Sequence, residues 1–107
     1  MAKPGFVMLR YSAPQKPDGV YEQWYHDMTQ LGQEMWPAAV AAGALNWKVM
    51  TDIVGNTPRN TMMIEFAHAD EAVRWLASPD CHSFVQRLTR IGTLDMQVSA
   101  YRLHSQS

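Results

Sequence analysis

Segments with the hydrophobic pattern of a strand and segments with that of a helix alternate along the chain. Gly5–Ser12 is a short apolar run rich in strand-forming residues, and from Val20 onward apolar residues recur at spacings of three and four, which predicts a helix. Asp18 is the predicted N-cap of this helix, Gly43 its predicted end, and Pro37 is expected to kink it. The helical stripe comprises Val20, Trp24, Met28, Leu31, Met35, Ala39 and Ala42.

The second half of the chain alternates apolar and polar residues, as strands do. Leu45–Val54 and Asn60–His68 are predicted strands joined by a loop, and Leu94–Leu103 is a predicted last strand. Between them, Asp70 is expected to cap a second helix that breaks at Ser78–Pro79 and then resumes. The apolar positions of that helix are Val73, Leu76, Cys81, Phe84, Val85, Leu88 and Ile91.

The element order β-α-β-β-α-β predicts a ferredoxin-like α+β fold. Two βαβ units joined by a hairpin give a four-stranded antiparallel sheet with two helices on one face, here as a single domain over residues 1–107. The face turned away from the helices is mixed and carries Met50, Met63 and Tyr101 beside charged residues. Such a face is too apolar to be left bare, which predicts that it packs against a second copy in a homodimer.

Composition narrows the range of partners. Nine Lys plus Arg against ten Asp plus Glu give a formal charge of −1 without a basic cluster, so neither nucleic acid nor an anionic membrane is an expected partner. The single Cys81 excludes an internal disulfide and a multi-cysteine metal site. Without a signal-like or bilayer-length apolar stretch, a cytoplasmic location is expected. Eight Met and four Trp fit either ordinary core filling or a surface that binds an apolar molecule.

The stretch Glu65–Phe84 (EFAHADEAVRWLASPDCHSF), with the chain length and element order, resembles the dimeric α+β barrel superfamily. Its members combine a similar strand end, an "EA" helix start and an "SP" break. They include cofactor-free monooxygenases of antibiotic biosynthesis, polyketide cyclases, muconolactone-type isomerases, haem-degrading enzymes and stress-responsive proteins. The resemblance implies a homodimer with a pocket inside each monomer. It implies action on a small aromatic or polyketide-like molecule, by cofactor-independent oxygenation or by isomerisation or cyclisation. A non-catalytic dimer that binds a ligand or responds to stress is the alternative.

Four residues are candidate catalytic groups: His82, His68, Tyr11 and Arg10. Similar polyketide cyclases carry a functional His two residues after the Pro of the break, a place taken here by Cys81, with His82 one residue further. His68, at the end of the third predicted strand, either faces the mouth of a pocket or is simply a satisfied strand-end residue. Arg10 and Tyr11 are neighbours on one strand, so at most one of them enters the pocket.

The predicted substrate pocket is aromatic, although the same residues also describe an ordinary aromatic core. Its predicted lining is Tyr21, Trp24, Met28, Trp47, Phe66, Trp75, Cys81 and Phe84.

No cofactor and no metal are expected. Haem-degrading members of the superfamily resemble one another in an Asn on the first strand, and the first strand here, FVMLRYS, has none. The four His residues also lack the close helical spacing of a metal site.

Overall fold

The computed structural model describes residues 3–14, 20–52 and 59–104, in which four strands and three helices follow one another. These elements are β1 (Gly5–Ser12), α1 (Val20–Ala41), β2 (Ala44–Thr51), β3 (Asn60–Phe66), α2 (Ala69–Leu76), α3 (Pro79–Arg90) and β4 (Leu94–Arg102). The predicted order is confirmed, including the break at Ser78–Pro79, where Ser78 Oγ accepts a hydrogen bond from the Cys81 N–H (3.2 Å) and caps α3. The predicted cap Asp18 and most of the loop before Asn60 lie outside the described residues.

The four strands form one antiparallel sheet in the order β2-β3-β1-β4. Apolar residues of the two central strands alternate in burial, and on the helix side Val7, Leu9 and Ile64 are fully buried. The helices cover this face, with α2 packed over β1 and β4 and α3 packed against α1. The ferredoxin-like α+β fold expected from the sequence is therefore confirmed.

Helix α1 buries most of the predicted stripe, although Val20 is 39% exposed and Ala42 follows the last residue of the helix. It continues through Pro37 to Ala41, and Gly43, with a φ of +112°, ends the helical run as expected. The indole N–H of Trp24 donates to Thr93 Oγ1 (2.8 Å), which ties the first half of α1 to the turn before β4. The buried members of the stripe are Trp24, Met28, Leu31, Met35 and Ala39.

Helix α2 departs from the prediction in its start and in its buried face. Its N-cap is His68, whose backbone N–H donates to Glu71 Oε1 (3.1 Å), rather than Asp70. Val73 is 57% exposed, whereas Ala72 and Trp75 are buried. A Cβ on Gly5 of β1 would lie 2.5 Å from Ala69, so alanines fill the contact with β1, and the Trp75 ring lies 6.2 Å from that of Phe66 in β3.

Two bulges break the alternation that the sequence predicted for the edge strands. In β2 the register shifts between Ala44 and Asn46, which leaves Leu45 exposed instead of facing the helices. In β4 one extra residue opposes the β1 segment Arg10–Ser12, and Asp95 there has a φ of +52°. Leu94, at the start of β4, is consequently 39% exposed.

The second face of the sheet has no helix over it in the described part of the chain. Phe6, Met8 and Met63 are half-buried at its centre, and Met8 lies directly opposite Met63. Met50 and Tyr101 are 45% and 46% exposed on the flanking strands. Arg10 and Glu65 share this face of the central strands with these residues, so apolar and charged side chains are mixed there, as the sequence predicted.

Candidate functional site

A cleft of about 350 Å³ opens between α1 and the edge strand β2. One wall is α1 from Tyr25 to Trp36, and the other is formed by the helix-side residues of β2, with β3 at the back. Its volume lies at the lower end of the range in which small-molecule sites are found. The lining residues are Tyr25, Met28, Thr29, Gly32, Gln33, Met35, Trp36, Trp47, Val49 and Met62.

The cleft exists because α1 does not pack against the helix-side residues of β2. Trp47 pairs with Ile64 in the sheet and so faces the helices, yet it remains 51% exposed, while Ile64 is fully buried. Val49, two residues further on the same face, is 40% exposed. Large apolar side chains are thus turned toward the helix layer without being covered by it, and an apolar molecule bound there would remove them from water.

The residues that line the cleft are mainly apolar, with a few polar groups among them. Three thioethers and two indoles dominate, and the polar groups are the Tyr25 phenol, the Thr29 hydroxyl and the Gln33 amide. The Thr29 hydroxyl donates to the Tyr25 carbonyl oxygen (2.9 Å), so toward a ligand it acts as an acceptor. Among the described residues that line the cleft, none carries a charge. Such a lining suits an uncharged, flat, mainly apolar ligand with one or two hydrogen-bonding groups.

The Tyr11 phenol lies behind the cleft. Leu9 pairs with Met62 and Tyr11 with Asn60, so Tyr11 is a diagonal neighbour of Met62 in the back wall. Tyr11 is 1% exposed, and within the described chain its hydroxyl has no hydrogen-bond partner. Burial, and secondarily the phenols of Tyr21 and Tyr25, raise the pKa of Tyr11 to about 12. Tyr11 is therefore a neutral donor rather than a base, and its unpaired hydroxyl is costly to bury.

Aromatic rings connect this phenol to the cleft. The ring centroids of Tyr11 and Trp24 are 6.1 Å apart, those of Tyr21 and Trp24 are 5.6 Å apart, and Tyr21 stacks on Tyr25 at 6.4 Å. Tyr25 is the member of this cluster that lines the cleft. A ligand beside Tyr25 is thus next to a continuous aromatic cluster that reaches the sheet.

The structure distributes the predicted pocket residues between the cleft and the core. Met28 and Trp47 line the cleft, and Tyr21 adjoins it through its stacking on Tyr25. The others are at most 3% exposed in the packed core and do not line the cleft: Trp24, Phe66, Trp75, Cys81 and Phe84. Burial raises the pKa of the Cys81 thiol to about 11, so Cys81 is protonated at neutral pH.

The structure does not bring the four catalytic candidates together. His82 is exposed on α3 and His68 is exposed at the start of α2. Arg10 is exposed on the uncovered sheet face, and its neighbour Tyr11 faces the helices. Tyr11 pairs with the first residue of β3 and His68 follows the last, so these two lie at opposite ends of the sheet. Of the four, Tyr11 is the one beside a cleft residue, Met62, although it does not itself line the cleft.

Several cleft residues were not among the residues predicted from the sequence. Tyr25 and Trp36 each directly follow a position of the apolar stripe, so the helical period gave no reason to select them. Val49 could have been predicted, because the alternation of side chains along β2 places it on the same side as Trp47. Gly32 carries no side chain and gives no hydrophobic signal at all.

The buried Cys81 thiol and Tyr11 phenol lead us to expect a loss of stability at alkaline pH. Burial raises the pKa of Cys81 from 9.0 to about 11, and burial with neighbouring phenols raises that of Tyr11 from 10.0 to about 12. Between pH 9 and 11 for Cys81, and 10 and 12 for Tyr11, the folded chain holds a proton that the unfolded chain has lost. Their contribution to the free energy of unfolding is complete below pH 9 and declines through these windows, each by on the order of 2 kcal/mol.

Urea unfolding of the wild type, Cys81→Ala and Tyr11→Phe at increasing pH measures this decline. In each variant the free energy of unfolding should fall less with rising pH than in the wild type. The difference should be seen between pH 9 and 11 for Cys81→Ala and between pH 10 and 12 for Tyr11→Phe. A wild type equally stable at neutral pH and at pH 11 would contradict both assignments.

Within residues 3–14, 20–52 and 59–104, no three His, Cys, Asp or Glu side chains are grouped so that they could hold a metal ion. No helix of the described chain is both long and apolar enough to span a bilayer.

The comparison with known proteins shows the fold. No family model and no curated protein matches the chain. Among solved structures, a dimeric ferredoxin-like protein of unknown function from Thermobifida fusca YX matches with a TM-score of 0.63 at 12% identity, over 94% of this chain and 92% of its own. SnoaB, a cofactor-independent oxygenase from Streptomyces nogalater, matches with a TM-score of 0.62 at 11% identity, over 98% and 97%.

A third match has a different activity. A hydroxynitrile lyase from Passiflora edulis has a TM-score of 0.63 and 13% identity, over 100% of this chain and 99% of its own. The chain therefore has the ferredoxin-like α+β fold of these proteins, and the predicted resemblance is confirmed at that level. Because an oxygenase and a lyase share this fold, chemistry has to be argued from the cleft.

Proposed function

We propose that this protein is a homodimeric enzyme that oxygenates a small, uncharged aromatic or polyketide-like molecule without a cofactor. The observation that carries the proposal is the apolar cleft between α1 and β2, with the Tyr25 phenol in its lining and the buried Tyr11 phenol behind it. The likeness of the fold to a cofactor-independent oxygenase supports the choice of reaction.

In this reaction the substrate supplies the electrons. An enolisable aromatic ketone gives a proton to solvent water at the open cleft, since no histidine or carboxylate is among the described lining residues, and the enolate carbon then forms a bond to O₂. One oxygen atom remains as a new carbonyl, and the other leaves as water with the two hydrogens lost from that carbon. The protein's part is to hold the flat ring in an apolar cleft and to stabilise the developing oxyanion.

Tyr25 and Tyr11 are the proposed hydrogen-bond donors to that oxyanion. Tyr25 lines the cleft, and the Tyr11 hydroxyl behind it has no partner within the described chain. Because the pKa of Tyr11 is raised to about 12, it keeps its proton at neutral pH. A phenol with a free proton next to an apolar cleft is suited to donate to a substrate oxygen.

The homodimer is proposed from the uncovered face of the sheet. Met8 and Met63 face each other across the two central strands, and Phe6 extends the apolar area along β1. Two copies packed face to face through these residues would remove them from water. The dimeric state of the Thermobifida fusca protein of the same fold supports a dimer, and the choice of this face rests on its exposed apolar residues.

A non-catalytic ligand-binding dimer is the second candidate. It is favoured by the described lining, in which no histidine or carboxylate is available as an acid or base. The same observation weighs against isomerisation or cyclisation, because His82 and His68 are exposed and lie outside the cleft.

Oxygen uptake with anthrone, a neutral tricyclic ketone that enolises, tests the proposal. The wild type should consume O₂ faster than buffer and form anthraquinone in equal amount. Val49→Asp, which places a carboxylate in the cleft, should abolish binding and uptake, whereas Gln30→Asp, an exposed position of α1 outside the cleft, should change neither. Tyr11→Phe should lower turnover about tenfold or more, without lowering the melting temperature, since the hydroxyl it removes has no partner among residues 3–14, 20–52 and 59–104.

The outcomes separate the candidates. Anthrone that binds in the cleft without uptake would favour the non-catalytic dimer. Val49→Asp with wild-type binding would show that the cleft is not the site.

A further inference from the structure

Gly32 is the place where the cleft reaches the backbone of α1. It lies in the interior of this 22-residue helix and belongs to the cleft lining. Glycine is among the least favourable residues in a helix interior, because it loses the most conformational freedom on folding. Its presence there calls for a reason.

Packing and backbone conformation do not provide that reason. A Cβ added at Gly32 would meet nothing within 4 Å, and the residue has no positive φ. The other glycines of the described ranges differ: at Gly5 a Cβ would meet Ala69 and Ala72, and Gly43 and Gly92 have φ values of +112° and +105°. Alanine would therefore fit at Gly32 and improve the helix, as far as this fold alone is concerned.

The space above Gly32 is a notch in a ridge of side chains. Met28, Gly32 and Trp36 follow one another at intervals of four residues, so they lie in one row along the helix. All three line the cleft, with the missing side chain between a thioether and an indole. On the opposite wall, Trp47 and Val49 project from β2.

We propose that Gly32 is a specificity-determining residue of the cleft, kept without a side chain so that a fused-ring aromatic ligand lies against the α1 backbone. This inference rests on the proposed function, since it requires a ligand in the cleft. The notch between Met28 and Trp36 adds depth on the helix side, and that depth admits a third ring which two-ring molecules do not use. Filling the notch therefore discriminates between ligands by size rather than weakening all of them equally.

Fluorescence titration with 2-naphthol and 2-hydroxyanthracene tests the inference, with Gly32→Ala, Gly32→Leu and Gln30→Leu compared with the wild type. Gln30 is exposed two residues earlier on α1, so the control places the same side chain on nearly the opposite side of the helix. The wild type and Gln30→Leu should bind both probes. Gly32→Leu should weaken the three-ring probe about tenfold or more and leave the two-ring probe nearly unchanged, with Gly32→Ala intermediate. Gly32→Ala should also melt at a higher temperature than the wild type.

The failures are distinguishable. If the wild type binds neither probe, the proposed function is overturned and this inference falls with it. If the wild type binds both and Gly32→Leu retains full affinity for 2-hydroxyanthracene, the role of Gly32 is overturned while the cleft stands as a ligand site. A lower melting temperature for Gly32→Ala would show that the glycine serves the fold.

Discussion

Met8→Asp is expected to leave this protein monomeric, at 12.2 kDa, at micromolar concentrations where the unmodified chain is expected to be a dimer. Met8 lies on a central strand of the uncovered sheet face, opposite Met63. In a two-fold dimer through this face, each protomer would bury a carboxylate against an apolar surface. Burying an unpaired charge against an apolar surface is costly, so the dissociation constant should rise by about a hundredfold or more.

Sedimentation equilibrium over a range of concentrations measures this change. Met8→Leu keeps the apolar character and should remain dimeric, and Gln86→Asp adds the same charge on the exposed side of α3 and should also remain dimeric. Met8 points away from the helix-side core, so the far-ultraviolet circular dichroism of Met8→Asp should stay native. A dimeric Met8→Asp would place the interface elsewhere, and a monomeric wild type would overturn the dimer itself.

The same variant separates assembly from ligand binding. The cleft lies on the helix side of the sheet, and Met8 lies on the other side. If each monomer holds a complete cleft, monomeric Met8→Asp should still bind a fused-ring probe. The sequence predicted a pocket inside each monomer, and this measurement addresses that point directly.

The parts of the fold that the sequence predicted correctly are those where local period and burial coincide. Helix α1 packs on the core along the stripe that contains Trp24, Met28 and Leu31, and the central strands bury every second residue. The prediction of the buried face of helix α2 was wrong because that face is determined by tertiary packing. Its orientation is set by a close approach to β1 through alanines, and alanine gives no strong hydrophobic signal, whereas Val73 gives a strong one and is exposed.

The cleft was only partly predictable, and the reason is geometric. Aromatic size suggested a pocket around residues such as Trp75 and Phe66, but large rings also pack best at the centre of a core, and there they lie. The cleft arises instead because β2 is an edge strand from which α1 diverges. Alternation along β2 identifies the side on which Trp47 lies, but says nothing about whether a helix covers it.

The close approach of α2 to β1 leads us to expect a large loss of stability from one added methyl group on Gly5. Gly5→Ala should lower the free energy of unfolding by about 3 kcal/mol, at the upper end of what overpacking costs. A Cβ at Gly5 would lie 2.5 Å from Ala69 Cα and 3.0 Å from Ala72 Cβ. The obstacle is largely backbone, and the Ala69 N–H is also fixed by a hydrogen bond to the Lys3 carbonyl oxygen (2.9 Å), so α2 must shift as a unit.

Gly32→Ala provides the matched control, because it is the same substitution in the same chain with open space around the new methyl group. There the free energy of unfolding should rise by about 0.5–1 kcal/mol, the advantage of alanine over glycine in a helix. Urea unfolding of the two variants beside the wild type should thus give changes of opposite sign. A Gly5→Ala variant as stable as the wild type would mean that α2 yields easily, and the packing of α2 would then not explain why Val73 is excluded from the core. The two glycines contrast because one is required by the fold, while the other weakens the helix and leaves room that the fold itself does not use.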